Sequence, residues 1–134
     1  MQKMRLKILA NHPVQYQVPV WRELKSRGCE INVGYYHQGT AGKRAKDEEF
    51  GIDLEWDIDL LNDYPHRIFV DHLPSYGLIE QIQYLPSILA WFVRDFRSPI
   101  LLVGWFAEVV WLIWVLAIIF RVPVFTISDT HSTV

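Results

Sequence analysis

Residues 5–28, RLKILANHPVQYQVPVWRELKSRG, read as strand, polar loop and amphipathic helix, an order that admits few folds. Arg5–Ala10 is a short apolar-rich run suited to a strand, and Asn11-His12-Pro13 ends it. Val14, Val18, Trp21 and Leu24 then recur at three- and four-residue steps, the mark of one buried helix face. Pro19 is tolerable only in the first turn, so the helix settles near Val18. Gly28 is placed to end it, with Lys25 and Arg27 in its last turn. A strand running straight into a helix is how a doubly wound α/β domain begins, and the loop between them opens on the ligand crevice. Here that loop carries His12, Gln15, Tyr16 and Gln17, hydrogen-bonding side chains where dinucleotide folds place glycines.

The rest of the chain continues the alternation. Glu30–Tyr36 alternates as a second strand, whereas 37–50 is polar, holds Gly39 and Gly42, and is expected to form an exposed, mobile loop. Ile52, Leu54, Trp56, Ile58 and Leu60 alternate with Asp53, Glu55, Asp57 and Asp59, which suits an extended segment with one acidic face. Arg67–Val70 reads as a third core strand, and Gln81–Phe96 as a helix with Pro86 marking an early boundary or kink. Pro99–Val103, Phe106–Phe120 and Pro123–Ile127 follow as strand, buried helix and strand. Strands separated by helices predict a parallel sheet with right-handed crossovers, hence an α/β, Rossmann-like, doubly wound fold. At 134 residues the chain suffices for one domain, 1–134, and is too short for two ordinary ones. It stops at Ser128-Asp129-Thr130-His131-Ser132-Thr133-Val134, where another strand-to-ligand loop begins, and so reads as interrupted.

Hydrophobic residues make up 51% of the chain with six tryptophans, and many crowd into 99–125, which raises the question of a membrane. The uninterrupted apolar run from Val109 to Phe120 is 12 residues. A spanning helix needs about 20, and runs of roughly 10–14 are more often core helices or interfacial segments. A buried helix is the preferred reading, with peripheral membrane contact as its alternative. The formal charge of −2 and scattered basic residues argue against nucleic acid as a partner. Lys43-Arg44-Lys46 is followed at once by Asp47-Glu48-Glu49, as in a solvated loop. The single cysteine, Cys29, excludes an intrachain disulfide and a multi-cysteine zinc site, and is expected to be a small buried residue. No signal peptide is apparent, so the expected compartment is the cytoplasm, with the inner face of the membrane as a variant.

His12 sits where a parallel strand delivers side chains to the crevice, and a neutral imidazole there accepts a proton or hydrogen bond from a substrate hydroxyl. The bland alternative is a turn histidine satisfied by backbone. Gln15, Tyr16 and Gln17 recognise hydroxyls without charge, or simply form a polar first helical turn. The ladder from Asp53 fails as a calcium loop, since Ile58 and Tyr64 stand where glycine and glutamate are needed. A solvated edge explains it. His66 and His72 have no zinc spacing, and no metal is expected. Ser128, Asp129 and His131 are too close in sequence for a catalytic triad. Asp129 and His131 nonetheless follow the fifth strand, and are expected to face the same crevice as His12. Neither G-x-G-x-x-G nor G-x-x-x-x-G-K-[ST] occurs, so no cofactor is implied.

Five segments in this order resemble one known pattern: His12-Pro13-Val14-Gln15-Tyr16-Gln17, Phe50-Gly51 with Trp56-Asp57, Leu60-Leu61-Asn62-Asp63-Tyr64-Pro65, Gly104-Trp105, and Ser128-Asp129-Thr130. The pattern is that of the amino-terminal half of family-four (group 1) glycosyltransferases, which have the GT-B fold, and the resemblance covers essentially the whole chain. It implies an acceptor-side Rossmann-like domain, half of a GT-B architecture, whose donor-binding domain is absent. Carried over residue by residue, His12, Gln15, Tyr16, Trp105 and Asp129 would line the acceptor side of the cleft. The implied activity is transfer of a sugar from a nucleotide-sugar donor to a glycan or lipid-linked acceptor. The donor would bind only with a second domain or chain, no metal is required, and this chain alone is expected to be inactive. The rivals are a non-catalytic binding or membrane-docking module that recruits a separate catalytic subunit, and a remnant of a disrupted gene.

Overall fold

The computed structural model describes residues 4–39, 45–47, 52–54, 61 and 63–127. Its elements in chain order are β1 (Arg5–Ala10), α1 (Val18–Ser26), β2 (Glu30–His37), β3 (Ala45–Asp47), β4 (Ile52–Leu54) and β5 (His66–Val70). These are followed by α2 (Leu78–Val93), β6 (Ile100–Val103), α3 (Glu108–Ile119) and β7 (Val124–Ile127). Five strands form one sheet in the order β5-β2-β1-β6-β7, and every pairing in it is parallel. From β1 the chain winds outward through β2 to β5, returns, and winds the other way through β6 to β7. That is the strand order of a Rossmann-like α/β domain, with its switch point between β1 and β6.

Alternation along the strands separates two cores. Ile8, Ala10, Ile31, Val33 and Tyr35 face one way, onto Val18 and Trp21 of α1. Leu9, Tyr36, Ile100 and Leu102 face the other way, onto Trp91 and Phe92 of α2 and Val110, Ile113 and Ala117 of α3. Apolar residues on both faces of one strand are what a parallel sheet covered on both sides requires. Cys29 is buried beside α1, as expected of a small apolar residue.

Several local expectations are corrected. The 37–50 segment is not all loop: β2 runs on through His37, and Ala45–Asp47 pairs antiparallel with Ile52–Leu54. Residues 55–60, the rest of the acidic ladder, lie outside the described residues. The third core strand is present as β5, with Phe69 and Val70 buried, and it lies at the sheet edge, pairing only with β2. Helix α2 begins at Leu78 and passes through Pro86 without ending. Both Pro86 and Ile82 face solvent, so the carbonyl that Pro86 leaves without a donor can be hydrated. Helix α3 is buried only through Val109, Val110, Ile113 and Ala117, while Trp111, Ile118 and Ile119 are half or more exposed.

One charge is built into the core. Lys7 on β1 is buried, and its ammonium donates to the carbonyls of Phe92 and Arg94 that end α2. A basic group there satisfies carbonyls that have no intrahelical partner. Burial pulls the ammonium down to about 8 from its ordinary 10.5, against the opposing field of Asp95. An unfolded chain holds that proton up to about pH 10.5, so between pH 8 and 10.5 the folded state binds fewer protons and stability rises with pH. Urea unfolding is expected to show a gain of about 2 kcal/mol from pH 8 to pH 10, absent in Lys7→Met. Above pH 10 the slope turns down, because burial holds the Tyr35 and Tyr36 hydroxyls protonated in the folded state.

Candidate functional site

Loops leaving the carboxyl ends of β1 and β6 depart over opposite faces of the sheet and leave a crevice between them. A cleft of about 340 Å³ occupies it. Asn11, His12, Tyr16 and Gln17 line one side, Gly104, Trp105 and Phe106 the other, and Ile127 the end of β7. Among the described residues no Lys, Arg, Asp or Glu lines this cleft. A hollow of about 430 Å³ at the opposite strand ends does contain charges. Arg5 there is already paired with Glu30 at 3.0 Å and Asp95 at 3.5 Å, so that end is occupied by its own ion pairs.

His12 is held from two sides. Its Nδ1 lies 3.1 Å from the Pro13 carbonyl, which can only accept, so Nδ1 carries the proton. In the neutral ring Nε2 is then the acceptor, and His12 lines the cleft. Behind it, Gly39 at φ +61 passes so close that a Cβ there would sit 3.1 Å from the His12 Cβ. Only glycine allows both that conformation and that approach.

Asn11, which lines the cleft, is tied to a hydrogen-bonded relay. The Gly39 N–H donates to His37 Nδ1 at 3.0 Å, so the other nitrogen of His37, Nε2, bears the proton. Nε2–H donates to the Tyr76 hydroxyl at 3.0 Å, and that hydroxyl donates to Asn11 Oδ1 at 2.9 Å. Burial, and then the His12 ring 5.2 Å away, depress the His37 imidazole to about 4 despite the opposing Glu80. His37 is therefore neutral near pH 7, as the relay requires.

Glu80 fastens the other end of the relay. Its carboxylate accepts from the Tyr36 hydroxyl at 2.7 Å and from the Ser75 and Tyr76 backbone N–H groups at 3.0 and 3.1 Å. Burial pushes that carboxyl up, but the bonds from Ser75, Tyr36 and Tyr76 outweigh it and hold the group below its ordinary range. Glu80 is the third residue of α2, so it reaches back over the helix entry in the manner of a capping box. Next to it, Gln81 accepts from the Val109 N–H at 2.8 Å and donates to the Glu108 carboxylate. It supplies α3 with the cap that Ala107 cannot.

Of the residues expected at the cleft, His12, Tyr16 and Trp105 line it together. Gln15 is exposed and is not among the lining residues, while its neighbour Gln17 is. Asp129 and His131 lie outside the described residues. Sequence reasoning missed Asn11 as a ligand, and missed His37, Tyr76 and Glu80 altogether. The signals were present: His37 closes a strand as His12 follows one, and Glu80 stands three residues past a glycine that opens a helix.

The arrangement suits an uncharged, hydroxyl-rich ligand. Amide, phenol and imidazole groups offer donors and acceptors, and the indole of Trp105 offers an apolar face. Among the described residues no group of three metal-ligating side chains lies close enough to hold a metal ion. Comparison with protein-family models, with curated proteins and with solved structures gives no match to this chain. Function is therefore read from the cleft itself.

Proposed function

We propose that the chain is the acceptor-binding half of a GT-B glycosyltransferase, and that the β1/β6 cleft receives a glycan or the sugar portion of a lipid-linked acceptor. One observation carries this reading: a cleft at the switch point that no charged side chain lines among the described residues, with His12 on one side and Trp105 at its rim. An acceptor hydroxyl bonded to Nε2 would give up its proton there as its oxygen attacks the anomeric carbon of the donor and the nucleotide leaves. The order of motifs along the chain supports the same assignment. Among the described residues no Lys or Arg lines the cleft to meet a diphosphate, so the donor is assigned to a second domain or chain. A non-catalytic module that recruits a catalytic subunit is the second reading, favoured by the exposed apolar side of α3.

Saturation-transfer NMR with maltose, lactose and UDP-glucose tests it. The neutral sugars are expected to bind in the millimolar range and UDP-glucose not at all. His12→Ala and Trp105→Ala should each weaken sugar binding about tenfold, worth about 1.4 kcal/mol. UDP-glucose binding that His12→Ala removes, or no saccharide response from any sugar, overturns the assignment. Turnover on adding a matched donor half separates the enzyme from the recruiting module.

A further inference from the structure

The outer surface of the α2/α3 layer has no place in the cleft's chemistry. The two helices lie side by side on one face of the sheet, tied at their starts by Gln81 to Glu108 and at their ends by Phe96 against Phe120 at 5.3 Å. They therefore run parallel, and their outward faces form one plane. That plane shows Ile79 at 85% exposure, Ile82 at 59%, Trp111 at 53% and Ile119 at 64%, with Leu78, Val93, Val115 and Ile118 between or beside them. A half-exposed large side chain leaves on the order of 100 Å² in water. Together they exceed the largest patch of an ordinary monomer, roughly 300–600 Å².

The distribution of charge selects the occupant. Within α2 the only ionised side chain is Glu80, which is buried, and within α3 only Glu108, which Gln81 holds at the first residue. Arg94, Arg97 and Arg121 follow the carboxyl ends of the two helices in sequence, all exposed. Among the described residues none of their guanidinium groups has a carboxylate partner. At the near end Trp105 stacks on Trp111 at 4.4 Å, with Trp114 edge-on to both. An apolar plane with exposed guanidinium groups at one end and indoles at the other matches an anionic bilayer, whose headgroups attract arginine and whose interface favours tryptophan. Against these three cations stand Glu80 and Glu108, both hydrogen-bonded within the fold, and Asp95, paired with Arg5 at 3.5 Å. That balance matches a second copy of this chain less well.

We propose that this face seats the protein on the surface of an anionic lipid bilayer, with α2 and α3 lying in the interface plane. No helix among the described residues is long and apolar enough to cross a membrane, so the attachment is to one leaflet. Trp105 belongs to both the plane and the cleft rim, so the cleft mouth opens beside the headgroups. The seating does not depend on the glycosyl-transfer reading.

Flotation of the full chain with phosphatidylcholine vesicles, with and without about one-third phosphatidylglycerol, tests the proposal. Binding is expected to be strong with the anionic lipid and to fall with added salt. Replacing Arg94, Arg97 and Arg121 together by alanine should cut partition on the order of 100-fold, about fivefold for each cation. The double variant Ile82→Glu/Ile119→Glu should abolish binding, with circular dichroism and melting unchanged because both positions are exposed. Wild-type protein that stays behind with both vesicle types overturns it. So does a lipid-insensitive dimer that Ile82→Glu/Ile119→Glu dissociates, which would give the face to a second copy. Sugar binding in the cleft is read separately, so either inference can fail alone.

Discussion

Replacing Trp91 with alanine is expected to lower the unfolding free energy by about 4 kcal/mol, in the range of buried aromatic truncations. The cost depends on how far the surroundings can close over the vacancy, and here they are held open. Trp91 in α2 is 2% exposed and meets Phe69 edge-on, their centroids 5.9 Å apart. Both rings press on Gly34 in the middle of β2, where a Cβ would sit 2.9 Å from Phe69 and 3.1 Å from Trp91. The strand has no side chain there to move into the gap, and its backbone is fixed by pairing with β1 and β5 on either side. The indole also sits 5.8 Å from the Lys7 ammonium, whose shielding from water depends on it. Trp91→Phe should cost less, about 1–2 kcal/mol, because the lost volume is smaller. The indole N–H that it removes has no hydrogen-bond partner among the described residues, which lowers the cost further. Urea denaturation of both variants measures the difference. A loss under about 1.5 kcal/mol for the alanine variant would mean that the α2 face is far less tightly packed than these distances imply.

Much of the fold could be read from local pattern, and the failures have physical reasons. Arg5–Ala10 and the helix from Val18 were legible because Pro13, Pro19 and Gly28 fix where backbone can and cannot be regular. Periodicity predicted that β5 is extended but not that it lies at the sheet edge, since strand order depends on contacts distant in sequence. The start of α2 was placed too late because its first turn is capped by Glu80 rather than marked by a Ser, Thr, Asp or Asn. For α3 the error was deeper. A helix apolar on every side normally reports burial on every side. Composition cannot distinguish a core from a surface that waits for something outside the chain, and the described residues leave one side of α3 open.

The site was legible on one side only. His12 was found because a strand, a polar turn and Pro13 announce a crevice loop. His37 reads locally as the first polar residue of a loop, and its meaning comes from Tyr76, 39 residues away. Asn11 likewise lines the cleft while its Oδ1 is held by the Tyr76 hydroxyl, 65 residues away. Such long-range pairs leave no periodic trace, so a relay between two strand ends and a helix entry is invisible to pattern reading.

Acidification is expected to remove about 2.5 kcal/mol of stability between pH 6.5 and pH 4 through His37 alone. The folded imidazole takes its proton only near 4, whereas the unfolded one takes it near 6.5. Between those values the unfolded chain binds more protons, so stability rises with pH across the window and is lost as pH falls. More than about a unit above pH 6.5 both states are neutral and His37 contributes no slope. Glu80, held below its ordinary range, adds loss in the same direction once the pH drops under about 4.5. His37→Gln isolates the histidine, because a carboxamide can accept from Gly39 and donate to Tyr76 without titrating. Melting curves from pH 7 to pH 4 should therefore fall more steeply for the wild type than for His37→Gln. Protonation turns Nδ1 into a donor facing the Gly39 N–H, donor against donor, at the residue that backs His12. Sugar binding should accordingly weaken in the same window as stability, and less so in the glutamine variant. Parallel curves for the two proteins would show that His37 is hydrated in the folded state and that the relay does not hold the cleft.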